Sequence, residues 1–276
     1  TKTVEPRGDE KELAEITDLI GSYTTNFASS SAGRAKNVIT GVSKVDGTIL
    51  YPGEEFDLAK TVSPFTQENG YELAGAYQNG TVVESFGGGI CQVATTLYNA
   101  VIRAELEITM RFNHSMLVHY VEPSMDAAIA GNYKDLKFKN NLDAPVYIEG
   151  YCSGGIIYFN VYGKETRPSN REISFESETV SKTDPKVQFT MDASLTAGSV
   201  SVTQSGQSGC IAQLWKIVKV DGKQQSRDLF NKSNYQATPK LITIGTKDAT
   251  SETLSALKAA ITIGDEAKVR SAAAGL

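Results

Sequence analysis

The stretch GGGICQVATTLYNA, residues 87–100, places a cysteine directly behind three glycines at the start of a predicted helix. The reactive form of cysteine is the thiolate, which the unpaired N–H groups and the positive dipole end of a helix N-terminus favour. Gly87, Gly88 and Gly89 allow a tight turn and a close approach to a bound acyl group, whose oxyanion those N–H groups would stabilise. Cys91 is therefore a candidate nucleophile. The alternative is a small apolar residue packed where a loop meets a helix.

A nucleophilic thiol needs a base, and the chain has two histidines, His114 and His119. They stand five residues apart in a β-rich run, so on a regular strand they point to opposite faces and only one meets Cys91. Asp126 follows closely and is the first candidate to orient an imidazole as the third member of a triad. Two later acids are alternatives for this role, Asp135 and Asp143. The chain order of Cys, His and Asp is similar to that of transglutaminase-like and papain-like thiol enzymes.

Composition bounds the class of protein that holds these residues. The 276 residues are 40% hydrophobic and 21% charged, which is typical of a soluble globular chain with one large or two medium domains. The net charge is −5 and the chain has no cluster of basic residues, which nucleic-acid-binding proteins usually have. We therefore do not expect this chain to bind nucleic acid. No apolar run reaches the length of a membrane-spanning helix, and the first residues lack the pattern of a signal peptide.

The number and spacing of the three cysteines limit which metal sites and disulfides are possible. They form an odd number, with no Cys-x-x-Cys motif and no histidine cluster, so we expect no metal site and no cofactor. For an exported protein, one disulfide and one free thiol is the simplest arrangement. Cys152 and Cys210 lie in strand-like segments and are the candidate pair, which leaves Cys91 free.

The elements that must position these residues follow from periodicity and turn signals. One short helix is predicted to end at Gly21, and a second to span residues 32–42. A hairpin is predicted to turn at Asn79-Gly80. The strongest amphipathic helix follows the glycines, because apolar residues recur there every three or four positions: Val93, Leu97, Val101 and Ala104.

An α+β fold is predicted, with the helix that carries Cys91 packed on an antiparallel sheet in a transglutaminase-like or papain-like manner. The runs that predict this sheet are 115–123, 134–141, 144–151 and 155–163. Further alternating runs predict a small, elongated all-β module. The expected organisation is an N-terminal helix and lead-in over 1–31, a domain over 32–163, a linker over 164–170, the all-β module over 171–247 and an Ala-rich helical tail over 248–276.

Three segments carry a family resemblance: GGGICQVATTLYNAVIRAELEI, RFNHSMLVHYVEPSMDAAI and DLKFKNNLDAPVYIEGY. They closely resemble the VanW-like family of bacterial envelope proteins, over roughly residues 20–163. The resemblance implies that the protein acts in the bacterial cell envelope, near the cell wall. It implies this location more firmly than it implies a reaction. Because His119 stands where the family commonly has Ser, His114 is the better candidate base. The segment PSMDA lacks the family's usual Gly-Arg pair, for which Arg34 and Arg111 are possible substitutes.

The resemblance also implies a set of binding residues in this chain. The positions that match the family pattern and are candidates for substrate binding are Gly87, Gly88, Gly89, Gln92, Arg34, Tyr98 and Ser115.

The C-terminal run LWKIVKVDGKQQSRDLFNKSNYQATPKLITIGT is similar to the end of a G-five domain, a β-rich module of surface proteins. That family is suspected of binding amino sugars, which implies that Trp215, Tyr235 and Phe230 stack on a sugar face. The alternative is that these aromatic residues hold together a thin sheet with little core.

These observations predict an extracellular, cell-wall-associated protein of a Gram-positive-type bacterium, anchored through a segment outside this chain. The expected partner is peptidoglycan or another wall polymer, with a possible protein partner for the C-terminal module. As an enzyme, the protein would form a thioester at Cys91 with His114 as general base. As a binding protein it would use the same groove without chemistry, and as a surface adaptor it would recruit a partner.

Overall fold

The computed structural model of the protein describes residues 8–78, 81–131 and 133–276. The described residues form two compact units. The first contains the residues up to 178 together with residues 212–233, and the second contains residues 179–211 and 234–276.

The first unit contains most of the helices and sheets. Its helices, within the described residues, are α1 (Glu10–Leu13), α2 (Ala32–Val45), α3 (Leu58–Val62) and α4 (Ile90–Arg103). Its strands up to residue 163 are β1 (Asp18–Asn26), β2 (Thr48–Leu50), β3 (Glu55–Asp57), β4 (Leu73–Gln78), β5 (Thr81–Phe86), β6 (Glu107–Met110), β7 (Lys137–Lys139), β8 (Val146–Ser153) and β9 (Ile156–Gly163).

The central sheet of this unit has the strand order β1-β9-β8-β2, and each neighbouring pair is antiparallel. Helix α4 packs on β1 and β9, and α2 packs on β8. Gly21 on β1 permits this close approach, because a Cβ there would lie 2.5 Å from the backbone nitrogen of Ala104. Every residue of α4 from Gln92 to Ile102 is buried, so its polar side chains must find hydrogen-bond partners inside the protein.

Smaller sheets complete the first unit. Strands β3, β7 and β6 form an antiparallel sheet in that order, and β4 pairs with β5. The predicted turn between these two strands, Asn79-Gly80, lies outside the described residues. Long strands β10 (Arg171–Thr183), β13 (Gly209–Val220) and β14 (Lys223–Tyr235) form a further sheet in the order β10-β13-β14, and each contributes residues to the first unit.

Two predictions of local structure were wrong. Helix α1 ends at Leu13, and residues 18–26 form β1 instead of continuing to a helix end at Gly21, because antiparallel pairing with β9 satisfies their backbone groups. The predicted strand over 115–123 is also not formed. Residues 111–129 are loops and turns, so strand alternation does not decide which histidine faces Cys91.

The second unit contains a three-stranded sheet and two helices. Strands β11 (Val187–Thr196), β15 (Lys240–Lys247) and β12 (Val200–Gln204) lie in that order, with β11 parallel and β12 antiparallel to β15. The Ala-rich tail forms α5 (Ser251–Ile263) and α6 (Glu266–Ala274). Ile242 and Ile244 on β15 pack with Leu257 and Val269 of these helices, so the tail shares a core with the sheet.

The coarse prediction of mixed helix and sheet, with antiparallel sheets and a C-terminal β-rich region, is confirmed. No disulfide joins any two of Cys91, Cys152 and Cys210, so the candidate pair of Cys152 and Cys210 is not bonded in this structure. Among the described residues, no helix combines the length and apolar character that crossing a membrane requires.

Candidate active site

Cys91 occupies the second position of α4, and its side chain is half-buried. Gly89 is the N-cap with φ of 115°, a left-handed conformation that a residue with a Cβ rarely adopts. Gly88 must also lack a side chain, because a Cβ would lie 2.8 Å from the carbonyl oxygen of Ala74. Asn37, which is buried, donates to the Gly88 carbonyl over 3.1 Å and fixes this turn against α2.

His114 is the histidine that the fold brings to Cys91. Its side chain lies close enough to the Cys91 thiol for each group to shift the pKa of the other, and its Nδ1 lies 2.6 Å from Oδ2 of Asp126. With Nδ1 directed to the carboxylate, Nε2 is the ring nitrogen left for the sulfur. The structure therefore places Cys91, His114 and Asp126 in one continuous row.

Asp126 is held rigidly at the end of this row. Its side chain is only 1% exposed. Oδ2 also accepts from the His114 backbone N–H over 2.7 Å, while Oδ1 accepts from Arg111 Nη2 over 2.9 Å. Arg111 Nε donates to the Asp126 carbonyl over 2.7 Å. The carboxylate thus has charged or backbone donors on both oxygens, which is the condition for a buried charge to be stable.

These contacts shift the ionisation of all three groups. Burial raises the pKa of Cys91, but the hydrogen bond and charge of His114 outweigh it and lower the pKa. Burial lowers the pKa of His114, yet the hydrogen bonds of Asp126 and Cys91 raise it to about 9. Burial raises the pKa of Asp126, and the contacts with His114 and Arg111 lower it below its ordinary value. All three shifts favour the charged forms, a thiolate beside an imidazolium beside a carboxylate.

A row of polar side chains on α4 holds the loop that carries Asp126. Cys91, Thr95 and Asn99 are four residues apart and share one face of the helix. Cys91 Sγ accepts from the Ile129 N–H over 3.5 Å, and Asn99 Nδ2 donates to the Met125 carbonyl over 2.6 Å. Between them, Thr95 Oγ1 exchanges hydrogen bonds of 3.0 and 3.1 Å with the backbone of residue 127.

Residues 33–162 match the family model described as VanW like protein, and residues 175–247 match that of the G5 domain. The chain carries a VanW-like domain followed by a G5 domain. The resemblance expected from the sequence is confirmed, and both families consist of cell-surface proteins.

Relatives of known sequence cover only part of the chain. The "Uncharacterized protein YoaR" of Bacillus subtilis is 35% identical over 161 residues, which is 58% of this chain and 53% of that protein. The "Vancomycin B-type resistance protein VanW" of Enterococcus faecalis is 26% identical over 118 residues, 41% of this chain and 42% of that protein. The chain therefore spans about half the length of these curated relatives or less.

A solved structure is similar to part of this chain. The "IgA1 Protease G5 domain structure" is 26% identical and covers 28% of this chain and 94% of that chain, with a TM-score of 0.20.

Gln92 and Arg34 lie beside the nucleophile in the VanW-like domain but mainly hold elements together. Arg34 Nη2 donates to Gln92 Oε1 over 2.8 Å, and Gln92 Nε2 donates to Thr25 Oγ1 over 3.1 Å and to the Asn26 carbonyl over 2.9 Å. Gln92 is 1% exposed, so its amide is used inside the domain. Arg34 is half-buried and is the member of this pair that retains access to solvent.

The other candidate binding residues are further from this chemistry. Tyr98 is buried, its hydroxyl accepts from Asn231, and burial raises its pKa to about 12. Ser115 is exposed on the loop next to His114, and His119 is exposed. Tyr98 therefore has no ring face open to a substrate, whereas Ser115 does have an open side chain.

Two of the three aromatic residues predicted to stack on sugars, Trp215 and Tyr235, differ in accessibility. Trp215 is half-buried, its Nε1 donates to Glu178 over 2.7 Å, and the Arg227 guanidinium lies 4.1 Å from the ring centroid. One ring face of Trp215 is thus occupied by a cation. Tyr235 is 2% exposed, so the structure contradicts its assignment to sugar stacking and makes it a core residue.

The structure adds residues that sequence reasoning missed. Arg111 was considered only as an anion contact, and its place beside Asp126 comes from loop geometry. Thr95 and Asn99 did carry a signal, since polar residues recur at every fourth position behind Cys91 on one face of the helix. Tyr120 also lies near the site, where burial and the nearby Cys91 charge raise its pKa. No set of side chains within the described ranges is arranged to hold a metal ion.

Proposed function

We propose that the VanW-like domain transfers or hydrolyses acyl groups of peptidoglycan peptide stems through a thioester at Cys91. The observation that carries this proposal is the row of Cys91, His114 and Asp126, in which the pKa of the thiol is lowered and that of the imidazole is raised. Perturbed ionisation of this kind is typical of thiol acyl-transfer sites. The row supports a transglutaminase-like or papain-like mechanism.

In the first step, the Cys91 thiolate attacks the carbonyl carbon of a stem amide, and a C–S bond forms. The His114 imidazolium then gives its proton to the leaving amine as the C–N bond breaks. The products of this step are a thioester, a free amine and a neutral imidazole. Asp126 stays ionised throughout and keeps Nε2 of His114 directed at the reacting atoms.

In the second step, neutral His114 removes a proton from the acceptor, which is water or a second stem amine. The acceptor attacks the thioester carbonyl and the C–S bond breaks. The thiolate and imidazolium are restored, so atoms and charges balance without a cofactor. Transfer and hydrolysis differ only in the acceptor.

The start of α4 supplies a donor for the oxyanion that forms in both steps. The N–H groups of Ile90 and Gln92 donate to the carbonyls of Gly87 and Gly89, over 3.1 and 2.9 Å. The Cys91 N–H donates to no acceptor among the described residues. It lies beside the sulfur at the positive end of the helix, which is the geometry that stabilises a developing oxyanion.

The substrate class rests on the two families. Both are associated with the cell wall, and one relative is named a vancomycin resistance protein. G5 domains are associated with binding to wall or glycan components. We therefore assign the protein to the surface of a Gram-positive-type bacterium, with the peptidoglycan stem as substrate and the glycan as a partner of the G5 domain.

The test is incubation of the purified chain with defined muropeptides, followed by intact-mass analysis. A covalent adduct on the Cys91 peptide and a changed set of stems are expected. Cys91→Ala must abolish both, while Cys152→Ala, which removes another half-buried thiol, must leave both intact. Stems that stay unchanged, with no adduct, would contradict the enzyme proposal.

A non-catalytic alternative is favoured by one contact. As a thiol, Cys91 donates to the Ile129 carbonyl over 3.4 Å, so the residue also has a purely structural use. In that case the chain binds peptidoglycan or another glycan through the same groove and the G5 domain, or serves as a surface adaptor. Cys91→Ala would still sediment with purified sacculi if the chain binds the wall, and Trp215→Ala would reduce sedimentation. An adaptor would not sediment at all.

A further inference from the structure

The loop that carries Asp126 is tethered by strands outside the VanW-like match, which ends at residue 162. Ser177 Oγ on β10 donates to the Pro123 carbonyl over 2.6 Å. Asn231 Nδ2 on β14 donates to the Ser124 carbonyl over 3.2 Å. Both side chains belong to the segment that matches the G5 domain and to the same compact unit as the loop.

The tethered loop contains a strained residue. Ser124 has φ of 67°, a left-handed conformation that is unfavourable for a residue with a side chain. Such a conformation persists only where its surroundings fix it. The bonds from Ser177 and Asn231 hold the carbonyls of Pro123 and Ser124, directly before the backbone reaches Asp126.

A third tether acts on the arginine that faces Asp126. Ser233 Oγ, on β14, accepts from Arg111 Nη1 over 2.9 Å. Ser233 is 3% exposed and the Arg111 side chain is 7% exposed, so water does not readily replace this bond. Arg111 is therefore fixed at one end by β14 while its other nitrogens hold the Asp126 carboxylate.

We propose that Ser177, Asn231 and Ser233 are positioning residues for the proposed Cys91 site. Together they form a clamp that holds Asp126 in the orientation His114 needs. This inference rests on the proposed function and deepens it. It means that the site is incomplete without β10 and β14, so the reactivity of the thiol depends on a strand more than a hundred residues downstream.

The clamp is tested in the full chain with the triple variant Ser177→Ala, Asn231→Ala, Ser233→Ala. Iodoacetamide alkylation of the Cys91 peptide is followed by mass spectrometry across pH. If Asp126 is displaced, a smaller fraction of His114 is protonated and the pKa of Cys91 rises. Alkylation at pH 6 is then expected to fall about tenfold, which corresponds to a shift of the alkylation profile by about one pH unit. Ser226→Ala, on the same strand but with no bond to the loop or Arg111, is the matched control and should not change the profile.

A second measurement separates the clamp from the enzyme proposal. The His114 N–H donates to Asp126, so its hydrogen exchange reports whether the carboxylate is in place. The triple variant should exchange this amide about tenfold faster. If the wild-type thiol is unreactive below pH 8, the proposed function fails and the clamp is judged by exchange alone.

Single variants cover the case in which the triple variant does not fold. Ser233→Ala should shift the alkylation profile, and Ser233→Thr, which keeps the hydroxyl, should restore it. Folded variants with unchanged exchange would overturn the clamp. If the wild-type thiol is reactive, one further result would overturn the clamp: a variant with faster exchange of the His114 amide but an unchanged alkylation profile of Cys91. The three residues would then stabilise the fold without positioning the site.

Discussion

His114 Nδ1 lies 2.6 Å from Asp126 Oδ2, and the same carboxylate oxygen accepts from the His114 backbone N–H over 2.7 Å. One oxygen therefore fixes both the ring and the main chain of the histidine. This double contact determines which ring nitrogen faces Cys91 and keeps the imidazole protonated above neutral pH.

The ionisation of His114 provides a direct test of this contact. We expect its ring protons to titrate with a midpoint near the pKa of about 9 in NMR spectra of the folded chain. Asp126→Asn removes the charge that raises this pKa, so the midpoint should fall by one unit or more. Asp143→Asn, at an exposed acid, is the control. A midpoint that does not move in Asp126→Asn would show that the carboxylate does not govern the imidazole.

The reactivity of Cys91 is the second prediction. Because the His114 charge lowers the thiol pKa, alkylation should remain rapid well below the value of about 8.5 that is usual for cysteine. His114→Ala should move the midpoint upward by more than one unit, and His119→Ala, at the exposed histidine, should not. Equal profiles for the two variants would exclude a special role for His114.

The pH dependence of stability follows from the same shifts. The raised pKa of His114 stabilises the fold fully below its ordinary value of 6.5, and this contribution is lost as the pH rises through about 9. We expect the free energy of unfolding of the wild type to fall between pH 6.5 and 9 relative to that of His114→Ala. Parallel urea denaturation of both chains measures the difference, and a constant difference across this range would contradict the prediction.

A half-buried ion cluster gives the fourth prediction. Arg171 donates to both carboxylate oxygens of Glu105 over 2.6 and 2.8 Å, and Lys216 also contacts this carboxylate. Burial raises the pKa of Glu105, but these two cations lower it from 4.5 to about 2. Discounted for partial exposure, Glu105→Gln should cost about 2 kcal/mol of unfolding free energy at pH 7.

The dependence of this stabilisation on pH can be tested by lowering the pH. A carboxylate with a lowered pKa stabilises the fold above 4.5 and loses that contribution as the pH falls towards 2. The difference between wild type and Glu105→Gln should therefore shrink over this range in chemical denaturation. Glu107→Gln, at a nearby exposed acid, should show no such trend.

The polar face of α4 gives the last prediction. Thr95→Val keeps the side-chain shape but removes the hydroxyl bonded to the N–H and C=O of residue 127. Leaving these buried groups unpaired should cost about 1–3 kcal/mol and speed hydrogen exchange in the loop. Thr24→Val on the exposed side of β1 is the control. Equal stability of the two variants would mean that Thr95 does not hold the loop.

Local patterns predicted the helix behind the glycines and the strands over 144–163, because their periodicity matches what the core requires. They failed at residues 18–26, where pairing with β9 decided the structure. They also failed at residues 115–123, which form loops and turns just before the segment 125–129 that hydrogen bonds from α4 hold in place. Burial of Tyr235 likewise depends on neighbours that a sequence run does not reveal.

The sequence by itself determined the two families and the place of Cys91 behind three glycines at a helix start, because these depend on residue types at fixed short spacings. Only the tertiary structure decided that His114 and Asp126 meet Cys91, that Arg111 backs the carboxylate, and that Ser233 holds Arg111. Those contacts join loops and strands far apart in the chain, and their geometry depends on packing around the buried helix α4.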